Sequence, residues 1–396
     1  MNNILYVSNL FPPFVGGTEI YMSNLSEGLA DRGYNCRVIT SNALSHDLGN
    51  PFINSDINKK RVDIQKEETN GVKIERVPYT LLEHPIEESI ERLFSYVLKN
   101  SVRHISPLIG RIFQDPVGPR LLISGIRSKP DIIHSSSVTD SSIAVSVALG
   151  IYHDVPSSIR PAWHIGNESY NINEWRPIFN LADQIITSTS TEKEYLSNNG
   201  VEPRNIRVIG YGVDFDEIQD SEPDPSIGDD DKFTVLIMTS RMTRSKGVPQ
   251  VLDVAPCLPD VEFIIAGPES KMLDEIPENC KYIGKIFGEK KHRILNSVDA
   301  FVLPSTAESF GIAYMEAMSA GVPVVTADIP ISNELYSESG IQVDPNDSEE
   351  LKSSILRLKN DGDIYEEYSK NAENTARKYS WENITRKTEE SWKNIV

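Results

Sequence analysis

Short apolar runs alternate along this chain with stretches whose apolar positions recur every three or four residues, a pattern that predicts parallel strands covered by crossover helices. Ile4 to Val7 reads as a strand. Glu19 to Asp31 follows as a helix, with Ile20, Met22, Leu25 and Leu29 at apolar spacing and Gly33 just beyond its end. Arg37 to Thr40, Val72 to Val77, Asp131 to His134, Ile185 to Ser188 and Ile206 to Ile209 continue the strand series. These elements predict a first α/β domain over residues 1–212. The polar stretch from Ser41 to Gly71 reads as a surface excursion. From Asp214 to Lys232 the chain turns acidic and proline-rich, a composition too poor in apolar area to fold alone, so residues 213–232 are expected to be a linker. Phe233 to Thr239, Val261 to Ala266, Lys281 to Ile283, Ala300 to Leu303 and Val322 to Ala327 then predict a second α/β domain over 233–378. Residues 379–396 close the chain as a helix carrying Trp381, Ile384 and Trp392.

Composition narrows the function classes. The chain has 396 residues, 39 basic against 58 acidic, and a net charge of −19, which repels a phosphate backbone and argues against general nucleic-acid binding. No apolar run approaches the roughly 20 residues that span a bilayer. The opening Met1-Asn2-Asn3 leads straight into a short strand without a basic flank, unlike a secretory signal, so the cytoplasm is the expected location. Cys36, Cys257 and Cys280 are far apart, form no CxxC pair, and read as reduced packing residues.

Two tandem α/β domains are expected to turn the carboxyl ends of two sheets toward one cleft, where such sheets bind ligands. Gly16 and Gly17 lie between the first strand and first helix, where backbone amides can approach an anion. The loop is not GxGxxG, and no GxxxxGK[ST] occurs, so nicotinamide and P-loop readings lose their main support. Ser240 to Gly247 sets Arg241, Arg244 and Lys246 between a strand and a helix, the cations a diphosphate calls for. Glu308 ends a buried strand, Phe310, Gly311 and Ile312 supply free amides at a helix start, and Glu316 follows about two turns along. Carboxylates roughly 12 Å apart along an axis are too distant for a hydrolase pair, but they can take hydroxyls at two ends of an elongated polar ligand.

These residues carry a family resemblance. Gly16 to Glu19, Ser240-Arg241 through Lys246-Gly247, the Glu308 to Glu316 E-x7-E motif, Gly321 to Val325 and Tyr379 to Trp381 together resemble retaining glycosyltransferases of family 4, with the GT-B fold. The resemblance implies two Rossmann-like domains facing a central cleft and a terminal helix crossing back to the first domain. It implies transfer of a sugar, a hexose being the expected cargo, from a nucleotide diphosphate donor to a glycan or lipid-linked acceptor. The anomeric configuration would be retained, with no metal or other cofactor beyond the donor as co-substrate. Carried over, Arg241 and Lys246 would bind the diphosphate, Glu316 the ribose, and Glu308 with the amides of Phe310, Gly311 and Ile312 the sugar or phosphate. The base would lie near Ile283. The family's histidine matches His164 best, with His134 the competitor. Ser240 in place of a frequent glycine, and Ile329 to Glu334 where the family often has paired glycines, leave the donor sugar open. Asp214-Phe215-Asp216 and Asp229-Asp230-Asp231 look like DxD metal motifs but fall in the expected linker. Two rivals remain, a GT-B sugar-nucleotide epimerase and a nucleotide-sugar-binding protein without turnover.

Residues 92–129 stand apart, with seven basic side chains against one acid, Asp115. Phe94, Val97, Leu98, Ile105, Leu108, Ile109, Ile112 and Phe113 recur among them at helical spacing. The stretch reads either as helices buried on the first domain or as a basic amphipathic surface seated on anionic lipid.

Overall fold

A computed structural model describes residues 1–14, 16–43, 62, 65–79, 106–115, 117–137, 140–165, 170–228 and 232–396. The chain divides into two compact units. One comprises Met1–Trp163, Asn167–Ile209 and Thr385–Val396, the other His164–Gly166 and Gly210–Ile384.

Among the described residues the first unit holds eight strands: β1 (Asn3–Val7), β2 (Asn35–Ser41), β3 (Lys66–Thr69), β4 (Val72–Val77), β5 (Ile132–Ser136), β6 (Ser157–Arg160), β7 (Gln184–Thr187) and β8 (Ile206–Val208). Their order is β3-β4-β2-β1-β5-β6-β7-β8, and all neighbours are parallel except the β3–β4 hairpin. Helices α1 (Gly17–Asp31), α2 (Ser106–Ile112), α3 (Gly118–Ile126), α4 (Ser141–His153), α5 (Ile172–Phe179) and α6 (Ser190–Asn198) accompany the sheet. The central strands β1, from Ile4 onward, and β5 are buried, and their apolar residues are what the sequence pattern shows. β3 falls inside the stretch read as a surface excursion. It is a charged edge strand, Lys66-Glu67-Glu68-Thr69, turned onto β4 at Asn70-Gly71, and so carries no apolar signal. β6 was also missed, because Ser157-Ser158-Ile159-Arg160 buries polar groups. Asp183 accepts from the Ser157 amide at 2.8 Å, and the Arg160 guanidinium donates to Ser188 Oγ at 3.0 Å and stacks 4.4 Å over Tyr21.

The second unit holds a six-stranded sheet, all parallel, in the order β11-β10-β9-β12-β13-β14. The strands are β9 (Phe233–Met238), β10 (Val261–Ala266), β11 (Cys280–Gly284), β12 (Ala300–Leu303), β13 (Val324–Ala327) and β14 (Gly340–Val343). Its helices are α7 (Phe215–Gln219), α8 (Val248–Val254), α9 (Gly288–Leu295), α10 (Ile312–Ser319), α11 (Pro330–Leu335), α12 (Ser348–Asn360) and α13 (Gly362–Arg377). β14 was not anticipated: Gln342 interrupts its short apolar run. The stretch expected to be a linker is partly structural. Phe215 and Ile218 of α7 are buried, Arg377 sits 4.6 Å over the Phe215 ring, and Gln219 donates to the Ser319 carbonyl at 2.5 Å. Three buried apolar residues, Phe215, Ile218 and Ile227, anchor the acidic segment. Asp229-Asp230-Asp231 lies outside the described residues.

The terminal helix α14 (Trp381–Lys393) leaves the second unit at Ile384 and belongs to the first from Thr385 onward. Its anchor is Trp392, fully buried, whose indole donates to Ser158 Oγ at 3.0 Å and lies 5.0 Å from the His134 ring. Glu389 accepts from Arg32 at 3.1 Å and from Tyr34 at 2.7 Å. His134 is a core residue. Burial, with the charge of Arg160 adding to it, pushes its pKa down to about 3, and its Nδ1 donates to the Ser158 carbonyl at 3.0 Å.

Other expectations need correction. Residues 92–105 lie outside the described residues. In the remainder, Leu108 and Ile112 are buried while Ile109 and Phe113 are half-buried, and Arg111 pairs with Glu174 and stacks 4.8 Å over Trp175, so this part of the stripe packs partly on the first unit's own helices. Cys36 is a buried packing residue, but Cys257 is exposed. No helix among the described residues is long and apolar enough to cross a membrane. Replacing the large buried indole in Trp392→Ala should cost about 3–5 kcal/mol. Denaturant unfolding would read it, and a loss under about 1 kcal/mol would mean that the helix docks through other side chains.

Candidate functional site

The second sheet reverses its strand order between β9 and β12, and the carboxyl ends of two such neighbours are where an open parallel sheet receives a ligand. The loops leaving these strands are joined, the Thr306 amide donating to the Ser245 carbonyl at 2.9 Å. Gly247 makes that approach possible. Its φ is +74°, and a Cβ there would lie 2.6 Å from the Pro304 carbonyl oxygen. Lys246 is thereby fixed opposite the second loop, where its Nζ meets Glu308 Oε1 at 2.6 Å. The two side chains are only 11% and 10% exposed, so each charge depends on the other.

Beyond Glu308 the chain turns sharply into α10. Gly311 sits before that helix at φ +77°, and a Cβ on it would come 2.5 Å from the Tyr314 ring and 2.7 Å from the Tyr336 hydroxyl. The Tyr336 hydroxyl donates to the Phe310 carbonyl, and the Tyr314 hydroxyl to the Leu303 carbonyl. Burial raises both phenols well above their ordinary pKa, so they stay protonated donors. The buried Phe310 ring packs 5.5 Å from Tyr211 and 5.3 Å from Tyr379. The turn is therefore rigid, and it presents first-turn amides, including that of Ile312, that lack intrahelical acceptors.

Glu316, on α10, receives Lys291 Nζ of α9 at 2.5 Å. Sequence reasoning missed Lys291, because a lysine in the run Glu289-Lys290-Lys291-His292-Arg293 reads as solvated surface. Only the packing of α9 shows that it is mostly buried. Burial alone would lower its pKa, but the Glu316 carboxylate, helped by Asp214, raises it above the lysine range. Asp214, the first acid of the DxD lookalike, accepts from Trp381 Nε1 at 3.0 Å and lies 3.6 Å from His292 Nε2.

His164, expected in the first domain, groups instead with the second unit. Burial lowers its pKa first, then the positive charge of Arg241; Glu308 opposes and Lys246 adds to the lowering. Arg241, Lys246, Glu308 and His164 thus share one electrostatic field. Ile283 is half-buried in β11, on the far side of β10 from β9. Gly16 and Gly17 belong to the first unit, at the start of α1. The chain's own Glu19 carboxylate packs there, against the place a Gly16 Cβ would take, so that helix start already has an anion.

Known proteins resemble this chain in sequence and fold. Residues 15–217 match the family described as Glycosyltransferase Family 4, and residues 220–375 match Glycosyl transferases group 1. The chain belongs to glycosyltransferase family 4. It is 25% identical to an uncharacterized glycosyltransferase of Methanocaldococcus jannaschii over 96% of this chain and 94% of that one. It is 24% identical to a human protein, a subunit of phosphatidylinositol N-acetylglucosaminyltransferase, over 100% of this chain and 76% of that one. The crystal structure of Anabaena HepE in complex with UDP and glucose superposes with a TM-score of 0.71 at 17% identity, covering 100% of both chains. The fold is GT-B and the protein is a glycosyltransferase.

Gly311→Ala should destabilise the second unit by about 1–2 kcal/mol from the left-handed backbone alone, with the Tyr336 overlap adding to it. Thermal unfolding unchanged from the parent would contradict the steric argument. His164 should titrate below its usual value of about 6.5. A folded-state pKa below the unfolded one gives stability that is present above the unfolded value and lost as pH falls through the folded one. Imidazole NMR would follow the midpoint, which should rise in Arg241→Met and fall further in Glu308→Gln. A midpoint indifferent to both would remove these charges from its environment.

Proposed function

We propose that this glycosyltransferase moves a sugar from a nucleotide diphosphate donor to a glycan or lipid-linked hydroxyl, with retained anomeric configuration and no metal or further cofactor. The observation that carries this reading is the Lys246–Glu308 pair beside the free amides that follow Phe310 at the carboxyl ends of β9 and β12. A departing diphosphate needs fixed positive charge, and Lys246 with the exposed Arg241 guanidinium supplies it without reorganisation. When phosphate takes Lys246, Glu308 is released toward the sugar hydroxyls. Glu316 takes the ribose, and the neutral His164, held so by burial first and then by the charge of Arg241, offers a hydrogen-bond partner near the transferred sugar. Ile283 lines the base. HepE, by its title, is seen with UDP and glucose, which supports a nucleotide-sugar donor, and the human relative, by its name a subunit of a phosphatidylinositol N-acetylglucosaminyltransferase, supports a lipid acceptor. The enzyme then works in the cytoplasm, at the membrane surface where its acceptor is lipid-linked.

Incubation with uridine and guanosine diphosphate sugars, with and without glycan and lipid-linked acceptors, tests the reading. A new glycoside should form only with acceptor, keep the donor's anomeric configuration by NMR, and persist in EDTA. Turnover should fall roughly 100- to 1000-fold in Lys246→Ala, and also in Arg241→Ala, whose exposed side chain leaves folding intact. An inverted product, EDTA-sensitive transfer, or near-parental turnover in both variants would refute it, and donor conversion without acceptor would favour an epimerase.

A further inference from the structure

Lys291 lies outside every motif that marks this family. It projects from α9 to Glu316 on α10 at 2.5 Å, and the two side chains are 16% and 14% exposed. The charge of Asp214 also bears on it, and Asp214 is itself fixed by the Trp381 indole at 3.0 Å. Lys291 is therefore a stationary charge between two acids and not a mobile surface lysine. Its contact engages one oxygen of Glu316, Oε1. A carboxylate that takes vicinal hydroxyls must be ionised and must hold its second oxygen in one direction, because each hydroxyl donates along a lone pair. The ammonium meets both needs. It keeps the carboxylate charged in a site largely shielded from water, and it stops rotation about the terminal torsion, which is otherwise broad.

We propose that Lys291 is a positioning residue for the donor's ribose, acting through Glu316. The inference rests on the reading of Glu316 as the ribose ligand. Two other roles for Lys291 would look alike in a simple loss of activity: a direct contact with the donor phosphates, and a purely structural pair joining α9 to α10. Removing the ribose hydroxyls from the ligand separates the positioning role from both.

The test is calorimetric titration of the full chain with UDP and GDP and with their 2′,3′-dideoxy forms, using the parent, Lys291→Met, Lys291→Arg and Glu316→Gln. Methionine keeps the packing volume without the charge. Lys291→Met should weaken the ribonucleotide roughly tenfold while leaving the dideoxy form within about twofold, since the lost contact is charge-assisted and confined to the hydroxyls. Lys291→Arg should recover most of the loss. The unchanged dideoxy affinity also reports a folded site. Equal loss for both ligands would overturn the proposal in favour of a phosphate or structural role, and no loss would overturn it outright. If the parent prefers the ribonucleotide and only Glu316→Gln abolishes that preference, the ribose reading stands and the inference about Lys291 fails. A parent that does not distinguish the two ligands, or binds neither, refutes both.

Discussion

Lys246 and Glu308 are each about nine-tenths out of water, and neither could stay charged there alone. Losing one partner of such a pair leaves an uncompensated buried charge, at a cost of about 3–5 kcal/mol. That constraint shapes both loops around it. The lysine loop must come close enough for a backbone bond from Thr306 to Ser245, and only a residue without Cβ at position 247 allows it. The glutamate loop must turn at once into α10, which requires the left-handed backbone of Gly311 and the tyrosine hydroxyls beneath it. The pair is thus a requirement of the fold, and both loops are built to meet it.

A second pair, Lys291–Glu316, repeats the arrangement at the other end of the E-x7-E spacing. Both acids of the motif therefore carry an ammonium before any ligand arrives, within a chain of net charge −19. This resolves a tension in the composition. A strongly acidic protein should repel an anionic ligand at long range, yet the cations here are concentrated around the carboxyl ends of β9 and β12 and the adjoining helices, where they act at contact distance.

Much of this was legible in the sequence from its apolar positions: β12 is a continuous apolar run, β10 one broken only at Glu262, and β4 is marked by Val72, Ile74 and Val77, and all three have the bounds that these positions give. The E-x7-E carboxylates and the Arg241–Lys246 loop were legible through residue type and position after a strand. What stayed hidden depends on partners distant in sequence. β6 buries Ser157, Ser158 and Arg160 because Asp183, His134 and Ser188 satisfy them, and no local pattern announces partners 24 to 28 residues away. Lys291 was hidden likewise, since its burial is a property of how α9 meets α10. The acidic segment after Gly212 was misjudged because its few apolar side chains, Val213, Phe215, Ile218 and Ile227, are buried and outweigh its average composition, with Arg377 and Ser319 there to meet its helix.

That segment also explains why the family's signature includes an aromatic tail. The chain passes through the edge of the second unit twice, near Val213 and near Ser380, and the two passages pair in parallel, the Val213 amide donating to Tyr379 and the Trp381 amide to Val213. Tyr379 packs on Phe310, at the turn that carries the free amides, while the Trp381 indole fixes Asp214, whose charge reaches Lys291. The turn after Phe310 and the Lys291–Glu316 pair are therefore both supported from the same short ladder. An aromatic at 379 serves one through packing and a tryptophan at 381 serves the other through a hydrogen bond, so these two residues hold the two ends of the motif in a common frame.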